Sequence, residues 1–547
     1  MEPNSSPSSE VINRPQRPIF AIFEGGGAKG LAHVGAMDAI RDNRLEVIGV
    51  AGTSAGALAA LLVSLGFDGA DVMDPTDPAQ HILAPRTPVE ILGEAEWRRY
   101  RKLKRFGPLS LLGTAVAGVL LGGAASPCNI ETLISVVRRL GLFSTDTIRA
   151  FVEDLIQRRL ETIKTVAGLN REIPQHITFS TLADWPTITP LKIVATDVDR
   201  GSLELFDART TPNVVVAEAV AASIAIPVAF RPAAIPSYRA GRFADGGMVS
   251  NLPIWVFAED KLAYEREHYE SPPVPTIGFT LSGLPRDPTT AGDKGFWGER
   301  AAYVGSLLQA TLQGSQGTAR RFLDDVTVIA LAPDLKMLDF DKPWEDYDAA
   351  RQVGREQANR QLGFLLEVKP DRIRAELATI QEMALREVNQ VRSAAGKPGV
   401  EQLRVNLLEK VGHHSLRVVA SVGMESDADD RLLLDLRGRG AARAFRDSDL
   451  LIFRMGGRFT KRRAEFMTKY ERALVRRSVR SVMCIPIFQD PRDWRLDPED
   501  RAEPHGVLAL DSDTDIAEDL RDDHIKRLLT ERSNVLYEAV SSELEYG

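Results

Sequence analysis

Two short apolar segments near the start of the chain each run into a glycine-rich turn and then into a helix-forming stretch. The predicted strands are Pro18–Phe23 and Leu45–Ala51, and the helices predicted to follow them are Gly30–Asn43 and Ala55–Leu65. Strands and helices that alternate at this spacing are typical of βαβ units, whose strands lie parallel. The sequence therefore predicts an α/β domain built on a parallel sheet.

The chain is long enough for more than one domain. Its 547 residues exceed what a single hydrophobic core usually organises. Later apolar runs predict three more strands for the first domain, over Leu191–Thr196, Thr276–Leu281 and Val326–Leu331. Three further runs predict strands of a separate α+β domain, over Leu416–Val422, Val479–Phe488 and Gly506–Asp511. The predicted organisation is a disordered lead (1–17), the α/β domain (18–368), a connecting helix and linker (369–399) and the α+β domain (400–547).

Composition excludes several classes of protein. With 68 basic and 76 acidic residues the formal net charge is −8, which gives no reason to expect a nucleic-acid partner. The two cysteines, Cys128 and Cys484, form neither a disulfide framework nor a zinc-ligand pattern. The polar N-terminus has no basic start followed by an apolar stretch, as a signal peptide would. We therefore expect a cytoplasmic protein.

The turn after the first strand is rich in glycine. It reads Gly25-Gly26-Gly27-Ala28-Lys29-Gly30 and leads into a helix, so backbone amides can come close to an anion or a developing oxyanion. The same turn has the form Gly-x-Gly-x-x-Gly, so a dinucleotide-binding fold is a rival interpretation. It is not a P-loop, because Leu31 follows Lys29-Gly30 where a Lys-Ser or Lys-Thr pair would be needed.

The turn after the second strand decides between these interpretations. It reads Gly52-Thr53-Ser54-Ala55-Gly56, a Gly-x-Ser-x-Gly turn between a strand and a helix. Such a nucleophile elbow exposes the serine oxygen at a helix N-terminus. A dinucleotide enzyme would instead end this strand near an acidic residue. We therefore interpret Ser54 as a nucleophile.

A serine nucleophile needs a base, and Asp245 is the best candidate. It begins Asp245-Gly246-Gly247 at the end of an apolar segment, where a tight turn could direct the carboxyl toward the serine. Taken alone, this tripeptide is more often an ordinary Asp-Gly turn. Among the eight histidines, His33 follows the glycine turn within the first helix, at a spacing that suits packing better than catalysis.

The three motifs, in this order, resemble those of the patatin-like phospholipases. The stretches Ala195–Asp197 and Ala222–Phe230 add to the resemblance, which extends over roughly residues 18–368. It implies a three-layer α/β/α hydrolase domain with a Ser54–Asp245 dyad and no metal or cofactor. Amides of the Gly25–Gly30 turn would form the oxyanion hole. The implied activity is cleavage of ester bonds in membrane phospholipids through an acyl-enzyme.

A basic, aromatic run precedes an uncharged one. Trp97–Phe106 carries the basic residues, and residues 107–130 contain no charged side chain. Basic groups attract anionic headgroups and apolar side chains enter the acyl region, so Trp97–Ala125 is a candidate for peripheral contact with the inner membrane surface. The alternative is a buried helix beside a solvated charged face.

The C-terminal region, about 400–541, resembles a GAF sensor domain. The resemblance rests on Leu416–Gly423, Ser481–Ile487 and His505–Asp511. It implies a small-molecule ligand such as a cyclic nucleotide, or formation of a homo-oligomer, and regulation of the hydrolase as in a nucleotide-triggered effector. Basic residues that could receive an anionic ligand are Lys461, Arg462, Arg463, Arg472, Arg476, Arg477 and Arg480. Such a cluster is more often a solvated helix face.

A second function class also remains open. The chain could be a lipid- and signal-binding interaction protein that uses the hydrolase fold without turnover.

Overall fold

The structure is a computed structural model that describes residues 17–73, 82, 141–268, 274–281, 326–337, 339–340, 342–411, 415–424, 432–455, 476 and 478–541. These residues form two compact units. Unit 1 takes the described residues of 17–264, 274–281 and 326–362, and unit 2 takes those of 265–268 and 363–541. Several predicted features lie outside the described residues: the N-terminal lead, Trp97–Ala125, Cys128, Lys461–Arg463, Arg472 and Arg477.

A mixed sheet forms the centre of unit 1. The described strands of unit 1 are β1 (Arg17–Phe23), β2 (Leu45–Thr53), β3 (Gly141–Phe143), β4 (Leu191–Asp197), β5 (Ser202–Phe206), β6 (Val228–Phe230), β7 (Ala233–Ile235), β8 (Arg239–Asp245), β9 (Thr276–Thr280) and β10 (Val326–Ala330). Strands β3 and β6 form a small separate sheet, and the other strands form the central one. The order is β10-β9-β1-β2-β4-β8-β7, β5 also pairs with β4, and β3 pairs with β6. From β10 to β4 the strands are parallel, whereas β8 runs antiparallel to β4. The predicted strands are confirmed, with ends that move by one or two residues.

Helices follow the strands of unit 1. They are α1 (Leu31–Asp42), α2 (Ala55–Ser64), α3 (Gly69–Val72), α4 (Asp146–Val166), α5 (Phe179–Ala183), α6 (Val216–Ser223), α7 (Ala258–Glu267) and α8 (Trp344–Gly363). Helix α2 is apolar on nearly all sides and packs on β1, β2 and β4, as expected of a buried helix. Strand β1 is buried from Ile19 to Phe23, which is typical of a parallel strand covered on both faces. The predicted α/β class is confirmed.

Unit 2 contains one antiparallel sheet. Its strands are β11 (Arg404–Val411), β12 (Ser415–Val422), β13 (Leu433–Asp435), β14 (Leu451–Arg454), β15 (Ser481–Ile487) and β16 (Gly506–Ser512), in the order β13-β12-β11-β16-β15-β14. Its helices are α9 (Lys369–Ala394), which continues α8 through a π-helical turn (Phe364–Val368), α10 (Ala441–Arg446) and α11 (Asp523–Ser541). The segment interpreted as a connecting helix is thus α9, and it packs on β11, β12 and α11 within unit 2.

The core of unit 2 explains why α9 belongs to it. Every third or fourth residue of α9 is buried against the sheet and α11, namely Ile373, Leu377, Ile380, Ala384 and Val388. That spacing gives a helix one apolar face. On the opposite face of the sheet, α10 contributes Phe445 to a second cluster that includes Cys484. Unit 2 therefore has a two-sided α+β architecture, while its likeness to a GAF sensor stays a prediction.

None of the helices that the structure describes combines the length and the apolar character needed to cross a membrane.

We predict that Leu377→Ala lowers the free energy of unfolding of unit 2 by about 2–5 kcal/mol, because it removes a fully buried side chain from the core. Denaturant unfolding measures the change. Glu382→Ala, at an exposed position of the same helix, is the control and should shift stability by at most about 0.5 kcal/mol. Equal effects of the two substitutions would contradict the packing of α9 on the sheet.

Candidate active site

Ser54 stands between β2 and α2 in a strained backbone conformation. Its φ is 55° and its ψ is −125°, a region that residues with a side chain rarely adopt. The turn closes tightly: a Cβ on Gly52 would lie 2.0 Å from the Gly56 carbonyl oxygen, and a Cβ on Gly56 would lie 2.1 Å from that of Phe23. Glycine is therefore required at both positions. The geometry is that of a nucleophile elbow, with Ser54 at the N-terminus of a ten-residue helix.

Asp245 ends β8 and begins a short 3₁₀ turn, Gly246–Met248. Three hydrogen bonds fix the residue. Its amide donates to the Ala225 carbonyl at 2.9 Å, and its carbonyl accepts from Thr196 Oγ1 at 2.9 Å. Its Oδ1 accepts from the Gly247 amide at 2.7 Å. The turn predicted from the sequence thus uses its own aspartate as the cap.

Strand β4 brings together the elbow (Gly52–Gly56) and the turn that begins at Asp245 (Asp245–Met248), which we call the base turn. Thr53, which precedes the serine, pairs with Val194 in the parallel β2–β4 ladder. Asp245 pairs with Ala195 in the antiparallel β4–β8 ladder. Because Val194 and Ala195 are neighbours on one strand, Ser54 and Asp245 lie side by side although they are far apart in sequence.

The Asp245 carboxyl is buried, with 3 % of the residue exposed. Burial disfavours its charged form and raises its pKa to about 6, while the nearby Ser54 hydroxyl and the Gly247 amide oppose the rise. Among the described residues, its Oδ2 makes no hydrogen bond of full geometry. Ser54 therefore lies near the carboxyl but does not donate a well-aligned hydrogen bond to Oδ2. A carboxylate with this pKa is suited to accept a proton near neutral pH.

Only some amides of the glycine turn are available as oxyanion donors. The Gly25 amide donates to Asn251 O at 3.1 Å, Ala28 to Met337 O at 2.9 Å, and Lys29 to Gly26 O at 3.3 Å. The sequence predicted oxyanion donors over all of Gly25–Gly30. The set is smaller in the structure, because these three amides already donate to carbonyl oxygens. Within the described part of the chain, the Gly26 and Gly27 amides have no acceptor.

The amide of Ala55 is available as a further oxyanion donor. The sequence predicted Ala55 in the nucleophile elbow and not in the oxyanion hole. This amide lies in the first turn of α2, where the amides of Ala57 and Leu58 already donate to Ser54 O. Among the described residues Ala55 N has no acceptor. First-turn amides carry the positive end of the helix dipole, so this amide can supplement Gly26 and Gly27.

Sequence reasoning gave no role to Ser223, although it touches the elbow. Its Oγ accepts from the Ser54 amide at 2.9 Å and donates to the Val194 carbonyl at 2.6 Å. Two residues later, Ala225 O receives the Asp245 amide. One short segment thus fixes the backbone of both candidate catalytic residues. A lone serine within the apolar run Ala219–Phe230 was the available signal.

His33 lies apart from these contacts. Its Nε2 is 2.8 Å from the Glu24 carbonyl oxygen, and its ring packs edge-on against Phe23. Complete burial lowers the pKa of the imidazole to about 4, with the Glu24 contact opposing the shift, so the ring is neutral at pH 7. These contacts agree with a packing role. In the described residues no three His, Cys, Asp or Glu side chains converge as a metal site would require.

A comparison with protein families agrees with this geometry. Residues 21–258, which include Ser54 and Asp245, match the family of patatin-like phospholipases. The family match ends within unit 1, so unit 2 is outside it.

Individual proteins are similar to longer parts of the chain. The uncharacterized protein YqhO of Bacillus subtilis (strain 168) is 26% identical over 276 residues, which cover 49% of this chain and 73% of YqhO. VipD from Legionella pneumophila is 17% identical over 70% of this chain and 78% of its own, with a TM-score of 0.31. ExoU of the Pseudomonas aeruginosa type III secretion system, crystallised with SpcU, is 15% identical over 71% of this chain and 65% of its own, with a TM-score of 0.28.

We predict that reaction of unit 1 with an ester depends on an ionised Asp245. Since burial raises its pKa to about 6, kcat/KM for a soluble activated ester should be level above pH 7 and fall about tenfold per pH unit below 6. A pH–rate profile measures this. The variant Asp199→Asn, which changes an exposed carboxylate paired with Arg242, should keep the same profile. A rate independent of pH between 5 and 8 would exclude Asp245 as the base.

We also predict that Asp245→Asn stabilises unit 1. The folded pKa of about 6 is above the unfolded value of 3.8, so the ionised carboxyl weakens folding at neutral pH. The gain should reach about 3 kcal/mol above pH 6 and vanish below pH 3.8. Denaturant unfolding at several pH values measures it. Because Arg242 lowers the pKa of Asp199, Asp199→Asn should have the opposite sign at neutral pH.

Proposed function

We propose that the protein is a lipid acyl hydrolase of the phospholipase A or lysophospholipase type, with Ser54 as nucleophile and Asp245 as base. The observation that carries the proposal is a serine on a strained elbow beside a buried carboxyl whose pKa is raised to about 6. The family match over residues 21–258 supports lipid esters as the class of substrate.

The proposed reaction has two halves. Ser54 Oγ attacks the ester carbonyl carbon while its proton passes to Asp245. The carbonyl oxygen, now negative, accepts hydrogen bonds from the Gly26, Gly27 and Ala55 amides. Collapse of this intermediate breaks the ester bond, and the leaving alcohol takes the proton from Asp245. Water then attacks the acyl-enzyme with Asp245 again as base, which releases the fatty acid and restores Ser54.

Two backbone contacts make a dyad sufficient in this proposal. In a triad, the third residue orients the base. Here the amide and the carbonyl of Asp245 are both hydrogen bonded, and the capping bond from Gly247 orients the carboxyl. A base that is held by its own turn does not need a separate orienting side chain.

Membrane phospholipids are the proposed substrates, reached from the cytoplasmic side of the inner membrane. The support is the family match together with the basic and apolar composition of Trp97–Ala125. That segment lies outside the described residues, so the proposed contact rests on its composition.

Unit 2 is proposed as a GAF-like regulatory domain, which can bind a small molecule or join two copies of the chain. Its two-sided antiparallel sheet is compatible with such a role. A groove of about 610 Å³ lies beside α10 and is lined by Arg446, Arg501, Asp447, Glu499 and Glu503, among others. Its acidic side chains outnumber the arginines, so this groove does not favour an anionic nucleotide. Of the predicted basic cluster, Arg476 is paired with Asp513 at 2.5 Å.

We predict that Ser54→Ala and Asp245→Ala each lower fatty-acid release from mixed phospholipid vesicles by at least about 10³-fold, since each removes one half of the proposed dyad. Release is measured with and without a panel of cyclic nucleotides. The matched control is Ser64→Ala, a buried serine of the same helix whose Oγ donates to Thr189 O, and it should keep activity.

A fluorophosphonate probe supplies a second reading of the same variants. Wild type and Ser64→Ala should be labelled at Ser54, and Ser54→Ala should not. If folded wild type binds vesicles but neither releases fatty acid nor reacts with the probe, the hydrolase proposal is wrong and a lipid-binding module without turnover replaces it.

A further inference from the structure

We propose that Glu24 is a positioning residue. It holds the glycine turn Gly25–Gly30, here called the oxyanion turn, at a fixed position relative to the base turn, and this inference rests on the proposed hydrolase function. Glu24 lies between the last residue of β1 and the first glycine of the turn, and it is fully buried. An acidic side chain in such a place needs several hydrogen-bond donors.

Donors from two other parts of unit 1 meet the Glu24 carboxyl. Oε1 accepts from Asn251 Nδ2 at 2.8 Å. Oε2 accepts from Thr280 Oγ1 and from the Leu281 amide. Asn251 follows the base turn, and Thr280 ends β9. One side chain therefore connects β1, β9 and the segment after Asp245.

The partners of Glu24 in turn contact the glycines. Asn251 Nδ2 also donates to Gly25 O at 3.2 Å, and Asn251 O accepts from the Gly25 amide at 3.1 Å. The Leu281 side chain packs against Gly26 so closely that a Cβ there would lie 2.5 Å from Leu281 Cδ1. Through Asn251 and Leu281, Glu24 thus sets the position of the turn whose Gly26 and Gly27 amides face no other acceptor among the described residues.

The contacts described above require a carboxylate, because Asn251, Thr280 and Leu281 each donate to it. A carboxylate only accepts, whereas a glutamine must present an NH₂ group on one side. The Leu281 N–H cannot reverse, so the glutamine oxygen would face it and the NH₂ would face Asn251. Asn251 would then have to turn its amide, which would bring its Oδ1 against the Gly25 carbonyl. Glu24→Gln therefore breaks the side-chain hydrogen bond from Asn251 to Gly25 O with little change in volume, while the backbone bond from the Gly25 amide to Asn251 O remains.

A purely structural role gives a different expectation. If Glu24 only packed the core, its loss would lower the free energy of unfolding and leave the kinetics of the folded protein unchanged. If it positions the oxyanion turn, kcat falls while KM stays level, because the misplaced amides bind the negative oxygen only in the transition state.

The test compares the full-length wild type with Glu24→Gln, Asn251→Asp and the double variant. For Glu24→Gln we expect a drop in kcat of roughly 10- to 100-fold with KM unchanged within about twofold. A lipid trifluoromethyl ketone, whose hemiketal oxygen carries negative charge when Ser54 adds to it, should bind more weakly by a similar factor. The double variant restores the hydrogen bond between positions 24 and 251 with donor and acceptor exchanged, but an aspartate at 251 cannot donate to Gly25 O. Its kcat should therefore stay as low as that of Glu24→Gln.

Asp38→Asn is the matched control. Asp38 is another fully buried carboxyl of unit 1, but it pairs with Arg351 at 2.8 Å and its described contacts do not include the site. This variant should lose stability and keep kcat. If Glu24→Gln lowered only the free energy of unfolding and left kcat and inhibitor binding unchanged, the positioning role would be overturned.

Hydrogen exchange separates this inference from the proposed function. In Glu24→Gln, exchange of the amides in Gly25–Gly30 should accelerate, and in Asp38→Asn it should not. If wild type proved unable to hydrolyse any lipid, the hydrolase proposal would fail, whereas unchanged exchange in Glu24→Gln would overturn the role of Glu24 in holding the turn.

Discussion

The pairing of strand β4 with its two neighbours determines how the candidate active site is assembled. β4 is parallel to β2 and antiparallel to β8. The elbow at the end of β2 and the base turn at the end of β8 therefore lie beside adjacent residues of β4. Gly246 lies over the Val194 carbonyl, where a Cβ would come within 2.3 Å. The same carbonyl accepts the Ser223 hydroxyl that holds the Ser54 amide. The spacing of Ser54 and Asp245 is thus set by hydrogen bonds to the backbone, which shifts far less than flexible side chains do.

Two buried carboxyl groups near the elbow have opposite surroundings. Glu24 is met by donors at both oxygens. Among the described residues, Asp245 has one good donor at Oδ1 and no cation that contributes to its pKa, which burial raises. A carboxyl that is fully satisfied is a rigid support, whereas one that lacks a donor retains affinity for a proton. The difference in hydrogen bonding separates the structural carboxylate from the candidate base.

Local patterns predicted much of unit 1, because each depends on a few consecutive residues. The apolar strand before Ser54, the flanking glycines and the helix after them indicated the elbow, and the structure has all three. The three-residue strands β6 and β7 carry too little pattern to be recognised. Asp245 looked like an ordinary turn until the other motifs gave it a partner.

Long-range contacts explain what the sequence could not predict. The use of the Ala28 amide depends on Met337, and the environment of Glu24 depends on Asn251 and Thr280. No window around residues 24–30 contains these partners. In unit 2, α9 resembled a connector because its charged residues dominate the composition, yet its apolar face is part of the core. Only the sheet that covers this face reveals the role of the helix.

The strained backbone of Ser54 has an evolutionary consequence. A positive φ costs about 1–3 kcal/mol at a residue with a side chain, and glycine would relieve that strain. The conformation therefore persists against the preference of the fold, and selection for the hydroxyl group has to maintain it. In a lineage released from that selection, drift would run toward glycine at position 54, and the loss would make the protein more stable. Descendants with glycine at position 54 would thus be expected to unfold at a higher temperature than a chain that keeps the serine.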